Sequence, residues 1–370
     1  MKRIILIFVF LIFIIGLLLS TNGSLYKPGS LKTGKGLRSP LTPPSQDGVS
    51  PNFWKVAEDI LLYYFSSGKG TPVLIIHGGP GFPPSKSWEG LEALEKDYKF
   101  HYYHQRGCGK STKPVDKFES KNYFQNMTNL VKVLGISAQL ADIERIRRIL
   151  KKEKLIIIGH SFGAFLATLY AVEFPEHVEK MVLIAPAAVL KMPVEEGGIE
   201  QLKDYLSDEM KKEYTKFLAR YFDYGKIFFK SEKELAEINL EFEKFYEAAL
   251  KTTGVKIPEG TALEAGDAGG WMVHAMYFSL GLKYDFRDEL KKVKAPVLVI
   301  HGEKDVMPSS VSKKYAEYFL DGEFKLVVGT SHFPFSEKPE EFAAVVGNFL
   351  KRGLSPFLLF SLNLSSLLYN

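Results

Sequence analysis

The chain has 370 residues, 46% of them hydrophobic and 25% charged, enough for one large domain with an insert or for two modest ones. Its formal net charge of +5 is mild for that length, and the basic residues are mixed with acids, which speaks against nucleic acid as a partner. The single cysteine, Cys108, excludes an intrachain disulfide and a cluster of thiolate metal ligands.

The chain opens with Lys2 and Arg3 and then runs uncharged from Ile4 to Leu19. Those sixteen residues fall between a signal-peptide core and a spanning helix. Residues 1–22 therefore read as a signal peptide or an N-terminal membrane anchor, and the lack of an A-x-A site favours the anchor. In either case the basic flank stays cytoplasmic and the body is exported or membrane-anchored, with membrane contact through this segment. Residues 23–51, rich in Gly, Pro, Ser and Thr, read as a linker.

The stretch "PNFWKVAEDILLYYFSSGKG" predicts two short strands joined at Glu58–Asp59. Six further strand candidates follow: Val73–Ile76, the "YKFHYYHQRG" segment, Leu155–Ile158, Met181–Ile184, Val297–Ile300 and Phe324–Val328. Runs that are apolar at every position suit strands covered on both faces, as in parallel sheets. Helical patterns lie between them in "AQLADIERIRRILKK", "FGAFLATLYAVEF" and "SSVSKKYAEYFL". Strands alternating with helices predict an α/β fold with a mainly parallel, doubly wound sheet. The rhythm is lost over 190–284, which reads as a helical cap inserted between core segments 52–189 and 285–352. The uncharged tail, 353–370, either touches a membrane, packs on the body or does neither.

Functional groups of such sheets gather beyond the C-terminal ends of strands. There the sequence places Gly159-His160-Ser161-Phe162-Gly163, a G-x-S-x-G elbow that turns from strand to helix and pushes the serine out above the sheet. Ser161 is the candidate nucleophile, against a plain capping serine, and the Phe162 N–H is one candidate oxyanion donor. In this order of elements an acid and then a histidine follow the serine. His77, His101, His104 and His160 come too early, and His177, His274 and His301 lie in the wrong elements, which leaves His332 as base. Asp305, in the loop after the fifth strand, is better placed as the acid than Asp285, Asp288 or Asp321. His77–Gly81, "HGGPG", follows the first parallel strand; Gly79 is the second candidate oxyanion donor, with Gly78 close behind and also a substrate contact. "RGCGKST" resembles the end of a phosphate-binding loop, but His104 stands where that motif needs glycine. Cys108 then reads as a packed loop residue.

With "HGGPG", "HQRGCGKS", "GHSFG", "GEKD" and "SHFPF" in this order, residues 52–350 resemble the α/β-hydrolase superfamily and, within it, the proline iminopeptidase group of serine peptidases. The resemblance implies an α/β-hydrolase fold with an inserted helical cap and a Ser161, Asp305, His332 triad working through an acyl-enzyme. It also implies release of an N-terminal residue, often proline, from a short peptide, with no metal or cofactor. The group usually has Asp where this chain has His104. It uses cap glutamates to hold the substrate amine, and His274 stands near one such position. Glu195, Glu196 and Glu264 remain in the cap, and with His274 the segment supplies Glu264 as a candidate substrate contact. The competing functions are a carboxylesterase or amidase on small apolar substrates and a non-catalytic binding protein on the same fold. An acidic cap pocket favours the peptidase and an apolar one the esterase. Epoxide and haloalkane hydrolases, which usually carry Asp at the elbow, are disfavoured by Ser161.

Overall fold

The computed structural model describes residues 25–34, 36–255 and 267–352. The N-terminal apolar run, the tail and Glu264 lie outside the described residues, so the expectations placed on them are not addressed by the fold. Among the described residues no helix is long and apolar enough to cross a membrane.

In chain order the core begins with β1 (Phe53–Ala57), β2 (Ile60–Gly68), β3 (Thr71–Ile76) and β4 (Tyr98–Tyr103), followed by helices α1 (Tyr123–Leu134) and α2 (Ile136–Ile149). It continues through β5 (Leu155–His160), α3 (Phe162–Glu173) and β6 (Val178–Ile184). After the cap come β9 (Val297–Gly302), α7 (Ser309–Tyr318), β10 (Gly322–Val327), the short α8 (Pro334–Glu337) and α9 (Pro339–Lys351). The strands form one sheet in the order β1-β2-β4-β3-β5-β6-β9-β10. The β1–β2 and β2–β4 pairings are antiparallel, and every pairing from β4 to β10 is parallel. The mainly parallel sheet expected from the strand–helix alternation is thus present, in the arrangement that the resemblance to α/β hydrolases implies.

The continuous apolar runs are buried on both faces because alternate residues feed two separate cores. Val73, Ile75, Ile156, Ile158, Val182, Ile184, Leu298 and Ile300 pack on one side with α9 and the 3₁₀ turn at Glu89–Leu94. Leu74, Ile76, Leu155, Ile157, Met181, Leu183, Val297 and Val299 pack on the other with α2 and α3. β10 departs from this pattern: it is the edge strand and only Val327 in it is buried.

The cap is bounded by a two-stranded neck. β7 (Lys191–Met192) pairs antiparallel with β8 (Tyr284–Asp285), so the chain enters and leaves at one point. Between them lie α4 (Asp208–Tyr221), α5 (Glu232–Thr252) and α6 (Trp271–Leu280). Ser231 starts α5 with a reciprocal capping box to Glu234. Buried Glu232 accepts the N–H groups of Gly270 and Trp271 at 2.9 and 2.7 Å, satisfying the orphan donors at the start of α6.

The segment expected as a linker is not a free tether over its described residues. Tyr26 and Leu31 are buried, and the Glu173 carboxylate accepts the Tyr26 hydroxyl at 2.8 Å and the N–H groups of Gly29 and Leu31 at 2.8 and 3.0 Å. Arg145 donates to the carbonyls of Ser39 and Pro40 at 2.7 and 2.8 Å. Composition gave the wrong impression here because the partners lie on α2 and α3, more than a hundred residues away in sequence.

Candidate active site

The parallel pairing of β3 with β5 sets Ile76 opposite Gly159, and β4 lies on the other side of β3. The loop after β3 and the turn after β5 therefore emerge side by side where the strand order reverses. Ser161 occupies that turn with φ +54° and ψ −120°, a strained conformation for a residue with a side chain. Its backbone is fixed on both sides: its N–H donates to Ile184 O at 2.8 Å, and its carbonyl accepts the Ala187 N–H at 3.2 Å. Gly163 makes the turn possible, because a Cβ there would run into the carbonyl oxygens of Ile76 and His77. Gly78 lies against the serine itself; a Cβ on it would sit 2.8 Å from the Ser161 Cβ.

His332 follows β10. Its Nδ1 lies 2.7 Å from Asp305 Oδ2, in the loop after β9. The other carboxylate oxygen accepts the Met307 N–H at 3.1 Å and the Tyr246 hydroxyl at 3.4 Å. Burial works to raise the Asp305 pKa, but the neighbouring His332 and its hydrogen bond, with His301 and the Met307 N–H, hold the carboxyl below its ordinary value. An ionised Asp305 fixes the proton of His332 on Nδ1 and leaves Nε2 as the basic nitrogen.

Ser161 and His332 both line two cavities that adjoin each other. The smaller, about 210 Å³, is lined by Trp88, Phe335 and the acidic residues Glu89, Glu243, Glu247 and Asp267, with Lys86 the one lysine or arginine among the described residues of its lining. The larger, about 770 Å³, runs beneath the cap between aliphatic and aromatic side chains, among them Val189, Met192, Tyr224 and Phe278. Gly79 lines both cavities, Gly78 the smaller and Phe162 the larger. Phe162 is the first residue of α3, where N–H groups have no intrahelical acceptor.

The other predicted contacts need correction. His274 is buried behind Tyr221 and Tyr224 and lines neither cavity. Burial pushes its pKa down to about 3, so it is a neutral core residue rather than a substrate contact. Glu195 pairs with Lys191 and Arg287 on the outside of the neck, and Glu196 with Ser310 and Lys314. His104 has a local role: it bridges Pro84 O at 3.2 Å and the Lys110 N–H at 3.1 Å, holding two loops together. Cys108 is buried, donates to Gln105 O at 3.2 Å, and has a thiol pKa raised by burial.

Sequence reasoning missed the face of α5 that closes the site. Phe242, Glu243, Tyr246, Glu247 and Leu250 line the smaller cavity, and Asn239 the larger. Their spacing of three and four residues is a helical stripe, and glutamates among aromatics on one stripe mark a pocket wall rather than a core. His160, which comes too early in the chain to be the base, donates from Nε2 to the His332 carbonyl at 2.9 Å.

Residues 71–339 match the family pattern of the alpha/beta hydrolase fold. The chain belongs to the α/β-hydrolase family. This α/β hydrolase is 28% identical over 288 residues to a proline iminopeptidase of Heyndrickxia coagulans, spanning 77% of this chain and 92% of that relative. It is 26% identical over 284 residues to a bifunctional esterase/perhydrolase of Acinetobacter calcoaceticus, spanning 73% and 89%. A thermophilic esterase from Thermogutta terrifontis shares the fold with a TM-score of 0.52 at 19% identity, over 80% of this chain and 95% of that one. These likenesses place the α/β hydrolase near the proline iminopeptidase group and support hydrolysis of a small substrate.

Proposed function

We propose that the protein is a serine aminopeptidase of proline iminopeptidase type, releasing N-terminal residues from short peptides through an acyl-enzyme. Ser161 Oγ attacks the carbonyl carbon while His332 Nε2 takes its proton, and Asp305 stabilises the imidazolium. The N–H groups of Gly79 and Phe162 receive the oxyanion. Collapse of the tetrahedral intermediate breaks the C–N bond, and His332 returns the proton to the leaving amine. A water molecule, deprotonated by His332, then frees the N-terminal residue from Ser161.

The observation that carries this reading is the acidic wall beside Ser161. In the described lining Glu89 pairs with Lys86 and Glu247 with Lys251, with Glu243 and Asp267 beside them; an acidic wall of this kind suits the ammonium of a free N-terminus, in the role of the cap glutamates sought elsewhere in the sequence. The proline iminopeptidase relatives point the same way. A carboxylesterase is the second reading, favoured by the large apolar cavity. In this proposal the Lys2–Arg3 flank and apolar run keep the hydrolase outside the cytoplasm.

The test compares prolyl arylamide, N-acetylprolyl arylamide and a short aryl ester. The proposal expects arylamide cleavage that needs the free amine and falls on the order of 10³-fold or more in Ser161→Ala. Turnover of the ester alone would replace the peptidase with the esterase.

A further inference from the structure

The acidic and the apolar cavities share Gly79, Phe82, Ser161, Phe242, Tyr246 and His332, so the candidate nucleophile stands at their junction. A bond attacked there has space on both of its sides. The two spaces differ in chemistry: the small one has Glu89, Glu243, Glu247 and Asp267 among otherwise largely apolar lining residues, and the other is more than three times larger and mainly apolar. In an N-terminal residue only Cα separates the ammonium-bearing nitrogen from the scissile carbonyl. An ammonium held at the acidic wall therefore commits the whole acyl portion to the small cavity. What remains for the large cavity is the leaving amine.

We infer that the substrate is bipartite: a small N-terminal residue seated between Trp88 and the α5 carboxylates, and a bulky apolar leaving portion seated under the cap against residues such as Val189, Met192 and Phe278. This rests on the aminopeptidase reading and names its substrate class, short peptides or amides whose second and third residues are apolar. A cavity of about 770 Å³ falls in the size range of sites for drug-sized ligands, far larger than a glycine amide needs. Its rim, at Gly197–Gln201, Lys226 and the half-exposed Leu282, leads toward solvent and gives a longer chain an exit. Glu200, Asp223 and Lys226 are the charged residues of its described lining, with Glu200 and Lys226 exposed at the rim, so a charged second residue that passes beneath the cap is disfavoured by desolvation.

The full-length chain in detergent tests this with prolyl n-alkylamides from methyl to octyl, together with Pro-Gly-Gly and Pro-Phe-Leu. Burial of methylenes predicts that kcat/KM rises roughly threefold to fourfold per added carbon until the cavity is filled. Pro-Phe-Leu should exceed Pro-Gly-Gly by on the order of 100-fold by the same scale. Ala188→Trp, which places an indole in the cavity, should lower the octyl-to-methyl ratio of kcat/KM about tenfold or more. A flat chain-length profile on a protein that cleaves prolyl amides would overturn the apolar assignment and leave the aminopeptidase standing. Hydrolysis of aryl esters with no turnover of any free-amine amide would remove both. The wild-type series decides the matter even when the tryptophan variant fails to fold.

Discussion

Ser161 sits at φ +54° because the chain around it leaves no other choice: Gly163 slides under β3, and the end of β6 with the loop after it holds the serine backbone from both sides. Gly78 completes the squeeze. Gly78→Ala would bring a methyl group to 2.8 Å from the Ser161 Cβ. The expected outcome is a fall in kcat on the order of 100-fold with a thermal midpoint lowered by only a few degrees, because the close contacts are confined to Ser161 and to His160 at the end of β5. Steady-state kinetics and calorimetry on one preparation separate the two effects. Asp305→Asn should cost on the order of 10⁴ in kcat, since the amide no longer fixes the proton on Nδ1 of His332. The motif segments that hold Ser161, Asp305 and His332 were legible because chain order and strand ends suffice to place them. His274 misled because the spacing to a family position says nothing about which way a helical side chain points.

α5 is the element that closes the site over the candidate nucleophile. One stripe of it carries Asn239, Phe242, Glu243 and Tyr246 toward the sheet domain, and each does something different. Asn239 donates to Pro80 O at 3.2 Å and to Gly269 O at 3.0 Å, while the Gly269 N–H donates to Gly81 O at 3.0 Å. The loop bearing Gly79 is thereby stitched to the cap. Asn239→Leu leaves buried carbonyls without their donor, a cost of about 1–3 kcal/mol, and should lower kcat more than it raises KM because the proposed oxyanion donor loses its support. Glu243→Gln with Glu247→Gln should raise KM for prolyl arylamide roughly tenfold or more, an effect of charge-assisted bonds lost to neutral ones. The same pair should leave a neutral aryl ester nearly unaffected. None of this was visible from the sequence, where 190–284 read as a helical cap with no indication of which helix faces the site. Helix periodicity shows a stripe, but the sheet edge it faces is set by the neck at Lys191–Met192 and Tyr284–Asp285.

At the scale of the whole molecule, folding buries histidines that then stay neutral. Burial pushes His77, His160 and His274 down to about 3 and His101 and His104 down to about 4. A histidine depressed in the folded state takes up its proton only on unfolding, so stability is full above the ordinary value near 6.5 and falls as pH drops toward 3–4. Each such group contributes at most about 1.4 kcal/mol per pH unit. Glu173 and Glu232, raised by burial, work in the opposite direction at the acid end. Urea unfolding at pH 6.5 and pH 5 should therefore show a loss on the order of 5 kcal/mol, and equal stability at the two values would contradict the burial of these rings. The two-core sheet was readable from aliphatic runs. The packing of 25–34 and 36–42 on the body was not, because it comes from Glu173 and Arg145, residues whose burial only the assembled fold reveals.

The most direct test of the central claim is covalent. Incubation with a fluorophosphonate, followed by intact-mass measurement and peptide mapping, should place one phosphonyl group on Ser161, slowly or not at all in His332→Ala and never in Ser161→Ala. Absence of label on the wild-type serine, or hydrolysis that survives in Ser161→Ala, would contradict the mechanism.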